Sequence, residues 1–207
     1  GMEDEKKRIA DKWIKSGLLD GFGAPDVRMT YMELLLQSEP LQLLNEQMEE
    51  NKYNELEGDL IFLAKKGCFD VITHGCNCRS IMSAGIAVPM NMHFDCSQFP
   101  MELQGPSILK LGNIDWQEKQ IINDGYNSKS IYVVNSYTQN HPRVDLKPID
   151  YEALTLCMRK INHQFKGKHI GLPKIGAGLA GGDWNRIKNI IQTELKDCEV
   201  TVVIYNK

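Results

Sequence analysis

Two glycine-rich stretches hold the residues best suited to chemistry. The first is His169-Ile-Gly-Leu-Pro-Lys-Ile-Gly-Ala-Gly-Leu-Ala-Gly-Gly-Asp-Trp184, which reads as a strand, a loop and the start of a helix. Gly176, Gly178, Gly181 and Gly182 have no Cβ, so backbone N–H groups there can come close to a ligand. A helix opening near Asp183 adds the positive end of its dipole. Together these suit a phosphate or diphosphate. Gly176-x-Gly178-x-x-Gly181 also matches the dinucleotide fingerprint. That fingerprint opens a βαβ unit early in its domain, whereas only one helix and one strand follow here. Asp183 has a second role open to it, as N-cap of the last helix.

The second stretch is Asp70-Val-Ile-Thr-His-Gly-Cys-Asn-Cys-Arg79, a strand ending in a polar cluster, with Ser83-Ala-Gly-Ile-Ala87 close behind. Two strands thus each lead into a loop of small residues. In open α/β sheets ligands gather at the carboxyl ends of strands, so one ligand held between both loops is the expectation. His74, Cys76, Cys78 and Cys96 raise zinc, but Cys-x-Cys is tighter than the usual ligand gap and no second pair follows. No metal is expected, and the thiols read as buried and reduced.

The elements that must position these loops are visible in the periodicity. Strands are expected at 53–57, 69–74, 107–112, 130–137, 168–172 and 199–205, and helices near 60–66, 84–94, 150–166 and 183–196. Leu154, Cys157, Met158, Ile161 and Phe165 make one helical stripe, with Asp150 as its N-cap. Strands alternating with helices imply an α/β domain over 53–207. Residues 1–52 read as a helical extension rich in leucine. Residues 1–57 carry 7 basic and 13 acidic groups, and 58–207 carry 17 and 14. The overall charge of −3 therefore averages an acidic start and a mildly basic remainder.

Taken in order, Gly58-Asp59-Leu60, Asn77, Ala84-Gly85-Ile86-Ala87 and Leu172-Pro173-Lys174-Ile175-Gly176-Ala177-Gly178-Leu179 resemble a macro domain. The likeness is to the branch holding terminal ADP-ribose protein glycohydrolase and the ADP-ribose 1″-phosphate phosphatases. It covers about 53–207. It implies a three-layer α/β/α fold with a mixed central sheet and an ADP-ribose cleft. By that resemblance Asp59 accepts from the adenine amino group, with Leu60 beside it, and Asn77 holds the distal ribose. The backbone at Ser83, Ala84, Gly85, Ile86 and Ala87 and at Ile175, Gly176, Ala177, Gly178, Leu179 and Ala180 encloses the diphosphate, and Tyr205 flanks adenine. The glycohydrolase lysine is missing, since Asn91-Met92-His93 stands in its place, and its aspartate is replaced by Ala180.

The implied function is binding of ADP-ribose or a derivative, with hydrolysis as 1″-phosphate removal or de-ADP-ribosylation. Asn77 would orient the ribose, and Asp183 or His74 would activate water. The alternative is a non-catalytic reader. No further cofactor is expected. The partners implied are ADP-ribose or an ADP-ribosylated substrate; nucleic acid enters only as such a substrate, given the lack of a Lys/Arg stripe. No apolar run approaches the roughly 20 residues of a bilayer span, and no secretion signal opens the sequence, so a cytoplasmic location is expected.

Overall fold

A computed structural model describes residues 52–97, 106–123, 125, 128–142, 149–178 and 180–206. The helical extension expected at 1–52 lies outside the described residues, apart from Lys52. The strands are β1 (Tyr53–Glu57), β2 (Val71–Asn77), β3 (Ile114–Asn123), β4 (Ser128–Gln139), β5 (His169–Leu172) and β6 (Glu199–Ile204). The helices are α1 (Leu60–Lys65), α2 (Ala87–Phe94), α3 (Tyr151–Gln164) and α4 (Trp184–Glu194). The sheet order is β1-β6-β5-β2-β4-β3. All neighbours are parallel except β3 and β4, which run antiparallel, so the sheet is mixed.

Strand residues alternate between two cores, as the period of two requires. Val71, Val134 and Val202 face α3 and α4, packing with Leu154, Met158, Ile161, Ile187 and Ile191. Ile72, Val133 and Val203 face the other way, with Leu60, Ala64, Met90 and Phe94 of α1 and α2. Helices cover both faces, which makes the expected α/β/α layering. The stripe on α3 is buried at Leu154, Cys157, Met158 and Ile161, and Asp150 accepts from Ala153 N at 2.9 Å as its N-cap.

The strand expected at 107–112 is not there. Ile108–Lys110 instead forms a 3-10 turn, opened by Ser107 Oγ accepting from Leu109 N. Gly112, at φ +79°, redirects the chain into β3, which the sequence reading missed.

β5 and β2 are parallel neighbours. The loops that leave their carboxyl ends, 78–86 and 173–183, therefore emerge side by side. This is the position at which open α/β sheets hold ligands.

Candidate functional site

The first loop is held by Asn77. Its Oδ1 accepts from Arg79 N at 3.1 Å and Ile81 N at 3.2 Å, while Nδ2 donates to Ile81 O at 2.7 Å. Both Oδ1 acceptor positions are thus used, and one Nδ2–H remains for a ligand. Ser80 sits at φ 59°, and its hydroxyl accepts from the buried Lys110 ammonium at 2.8 Å. Lys110 also lies 5.2 Å from the centre of the Tyr137 ring. A buried cation thereby anchors the turn that presents Asn77.

The second loop depends on its glycines. A Cβ at Gly182 would stand 2.6 Å from Gly176 O, and Gly182 N donates to that same oxygen at 2.8 Å. Gly176 has φ +74°, and a Cβ there would meet Ile149 Cδ1 at 2.7 Å. The loop folds back on itself because neither position carries a side chain. It closes on Asp183, whose Oδ1 accepts from Asn185 N at 2.9 Å as N-cap of α4.

Between the loops lies an inner cavity of about 270 Å³. Its wall includes Asn77, Ser83, Ala84, Gly85, Ile86, Ala87, Ile175, Gly176, Gly178 and Ala180. An outer cavity of about 1000 Å³ adjoins it, sharing Gly85, Ile86, Pro173, Lys174 and Gly178. Asp59, Leu60, Ala177 and Tyr205 line this outer space. Asp59 is also the N-cap of α1, with Oδ1 accepting from Ile61 N and Phe62 N at 2.9 and 3.1 Å. The cap uses only Oδ1. Tyr205 is 67% exposed, so its ring is a surface available for stacking rather than part of the core.

Leu179 lies outside the described residues. Two other expected site residues are on neither wall. Asp183 is exposed beside the second loop, beyond both linings. His74 is fully buried beneath the first loop, with Nε2 at 2.8 Å from Asn135 Oδ1. Asn135 Nδ2 donates to Cys96 O at 2.7 Å and to Asp115 Oδ1 at 2.8 Å, and Tyr137 OH donates to Asp115 Oδ2 at 2.7 Å. Since the Asn135 amide nitrogen faces two acceptors, Oδ1 faces His74, and the ring proton sits on Nε2. Burial pulls the His74 imidazole down to about 4. It pushes the Asp115 carboxyl up to about 6, against the hydrogen bonds of Tyr137 and Asn135. Cys76 and Cys96 lie 3.5 and 3.8 Å from His74 Nε2. Burial raises both thiols, that of Cys96 to about 12, so they stay protonated. His74 therefore belongs to a buried polar network under the site.

Sequence reasoning missed Thr138 and Gln139, at the carboxyl end of β4, which complete the inner wall. The rule that ligands gather at strand ends, applied to β4 as it was to β2 and β5, would have pointed to them. Among the described residues Thr138 Oγ1 is buried with no hydrogen-bond partner, and it would stand 3.0 Å from a Cβ on Gly75. Lys65 and His93 on the outer wall were missed as well. Only their distant helices bring them together.

Set against solved structures, this arrangement of sheet and loops matches the macrodomain of Thermus aquaticus DarG. The TM-score is 0.54 at 21% identity, covering 75% of this chain and 98% of that one. The chain has the macrodomain fold. Thermosipho africanus DarTG, solved in complex with ADP-ribose, matches with a TM-score of 0.56 at 17% identity, covering 75% of this chain and 41% of that one. By sequence, an uncharacterised 17.5 kDa protein from the tk–vs intergenic region of Enterobacteria phage T4 is 29% identical over 154 residues, 72% of this chain and 93% of that protein. No family model matches the chain. In this chain Asp59, Asn77, Gly85 and Gly178 all fall on the two adjoining cavities.

Proposed function

We propose that this macrodomain, over residues 53–207, binds ADP-ribose or a derivative across the two cavities, with 1–52 forming a helical extension. The observation that carries the reading is the meeting of the two glycine loops at adjacent strand ends, with an acceptor-only carboxylate and an exposed aromatic beyond them. Backbone N–H groups at 83–87 and 175–180 would hold the diphosphate. Asp59 would accept from the adenine amino group, Tyr205 would stack on the base, and the free Asn77 N–H would reach the distal ribose. The DarTG neighbour is itself solved with ADP-ribose, which supports this ligand.

Hydrolysis of the bound derivative is the finer reading, either removing a 1″-phosphate or releasing ADP-ribose from a modified substrate. What favours it is Asp183, which follows Gly181 and Gly182 directly and uses only Oδ1 in its cap. Its second oxygen would take the proton from water. A reader without turnover is favoured by a different observation. No carboxylate or imidazole stands among the described lining residues of the inner cavity.

Calorimetry with ADP-ribose, paired with chromatography on ADP-ribose 1″-phosphate and ADP-ribosylated peptide or oligonucleotide, tests both. The expected result is binding, with turnover lost in Asp183→Asn and affinity retained, since Asn caps a helix as well as Asp. Binding with no product from any derivative leaves the reader. No binding of ADP-ribose overturns both.

A further inference from the structure

The outer cavity extends from Asp59 to Lys65 and His93. At about 1000 Å³ it stands at the upper end of the range for small-molecule pockets, which run from about 300 to 1,000 Å³. It runs between α1 and α2. Asp59 marks the start of α1, and Lys65, six residues on, stands about 9 Å further along the helix. His93 faces the same cavity from the last turn of α2.

These two side chains are joined. Lys65 Nζ lies 2.6 Å from His93 Nδ1. An ammonium can only donate, so Nδ1 is the acceptor and the ring carries its proton on Nε2. The pair then presents donors alone, the remaining Lys65 N–H groups and His93 Nε2–H. Both residues are exposed, and among the described residues neither has a carboxylate within ion-pair distance. The other charged groups on this wall are Asp59, at the far end of α1, and Lys174, a further cation. A donor-only pair in a groove leading from a nucleotide cleft is matched to an anion with several acceptor oxygens.

We propose that Lys65 and His93 form an anion subsite for a phosphate attached to the adenosine end of the ligand. This rests on the ADP-ribose reading of the cleft. The phosphate could be a monoester on the adenosine ribose, or it could belong to the next unit of a linked chain of ADP-ribose. The recognising chemistry is the same for both. The site would then prefer an extended nucleotide to ADP-ribose itself, and the preference would shrink as salt is raised.

Calorimetry on the full chain with ADP-ribose, ADP-ribose 2′-phosphate and a dimer of ADP-ribose linked through the adenosine ribose provides the test. At least one extended ligand should bind about tenfold or more tightly than ADP-ribose. Lys65→Met should abolish that gain and His93→Phe should reduce it, with ADP-ribose affinity held within about twofold and thermal melting unchanged. A gain for the 2′-phosphate assigns a monoester, and a gain for the dimer alone assigns a chain. Equal affinity for all three ligands overturns the subsite, as does a gain that survives Lys65→Met. Failure of plain ADP-ribose to bind is a separate outcome, which removes the underlying reading and the subsite with it.

Discussion

At the scale of single residues, the glycines of the second loop do different work, and two substitutions separate it. Gly178 faces open space, with nothing within 4 Å of the point where a Cβ would stand, and it lines both cavities. Gly178→Ala should leave stability within about 0.5 kcal/mol while placing a methyl group where the diphosphate is proposed to lie. Ligand affinity should fall with no change in melting. Gly182→Ala should do the reverse, because its methyl would press on Gly176 O and Ile187 Cδ1 at 2.6 and 2.7 Å. A loss of about 1–3 kcal/mol in denaturant unfolding is expected there. The glycine loops were legible because they are runs of consecutive small residues, whereas Asp59 was singled out only by the resemblance to a known family. His74 was not, since only the partners supplied by β3 and β4 show that it is buried and neutral. The buried Thr138 hydroxyl was hidden for the same reason: its position depends on Gly75 in the neighbouring strand.

At the scale of elements, sequence period served best where a long stripe met a clear cap. α3 has both, and Asp150→Ala should cost about 1 kcal/mol in urea unfolding through loss of the bond to Ala153 N. β3 was not legible. Its middle reads Gln117-Glu118-Lys119-Gln120, and among the described residues it is an edge strand that pairs only with β4. It also buries an acid, Asp115, where period would call for an apolar residue, because Tyr137 and Asn135 satisfy the carboxylate from β4. The apolar letters Ile108 and Leu109 misled in the opposite sense. Both are exposed, and the segment is a turn whose purpose is to bring Lys110 inward to Ser80.

At the scale of the whole molecule, the buried network under the site should shape the dependence of stability on pH. His74 has its ordinary value of 6.5 lowered to about 4, so the unfolded chain binds its proton more readily between those values. That contribution to stability is present above 6.5 and is lost as pH falls towards 4. Asp115 is raised from 3.8 to about 6, so its contribution is full below 3.8 and is lost as pH rises through 6. The two oppose each other between about 4 and 6. Asp115→Asn should therefore make stability rise with pH across that window, and His74→Asn should make it fall, each by up to about 1.4 kcal/mol per pH unit. The wild type should be flatter than either, and denaturant midpoints from pH 4 to 6.5 check this. No helix among the described residues is long and apolar enough to cross a membrane. The place of β6 between β1 and β5 has one more consequence. On the ribosome, β1 emerges long before the strand that must attach it to the sheet. Until residues 199–204 have been made, Tyr53–Glu57 has no neighbour on that side, and Asp59 and Tyr205 cannot meet across the outer cavity. The proposed ligand site can thus assemble only once translation has passed Tyr205.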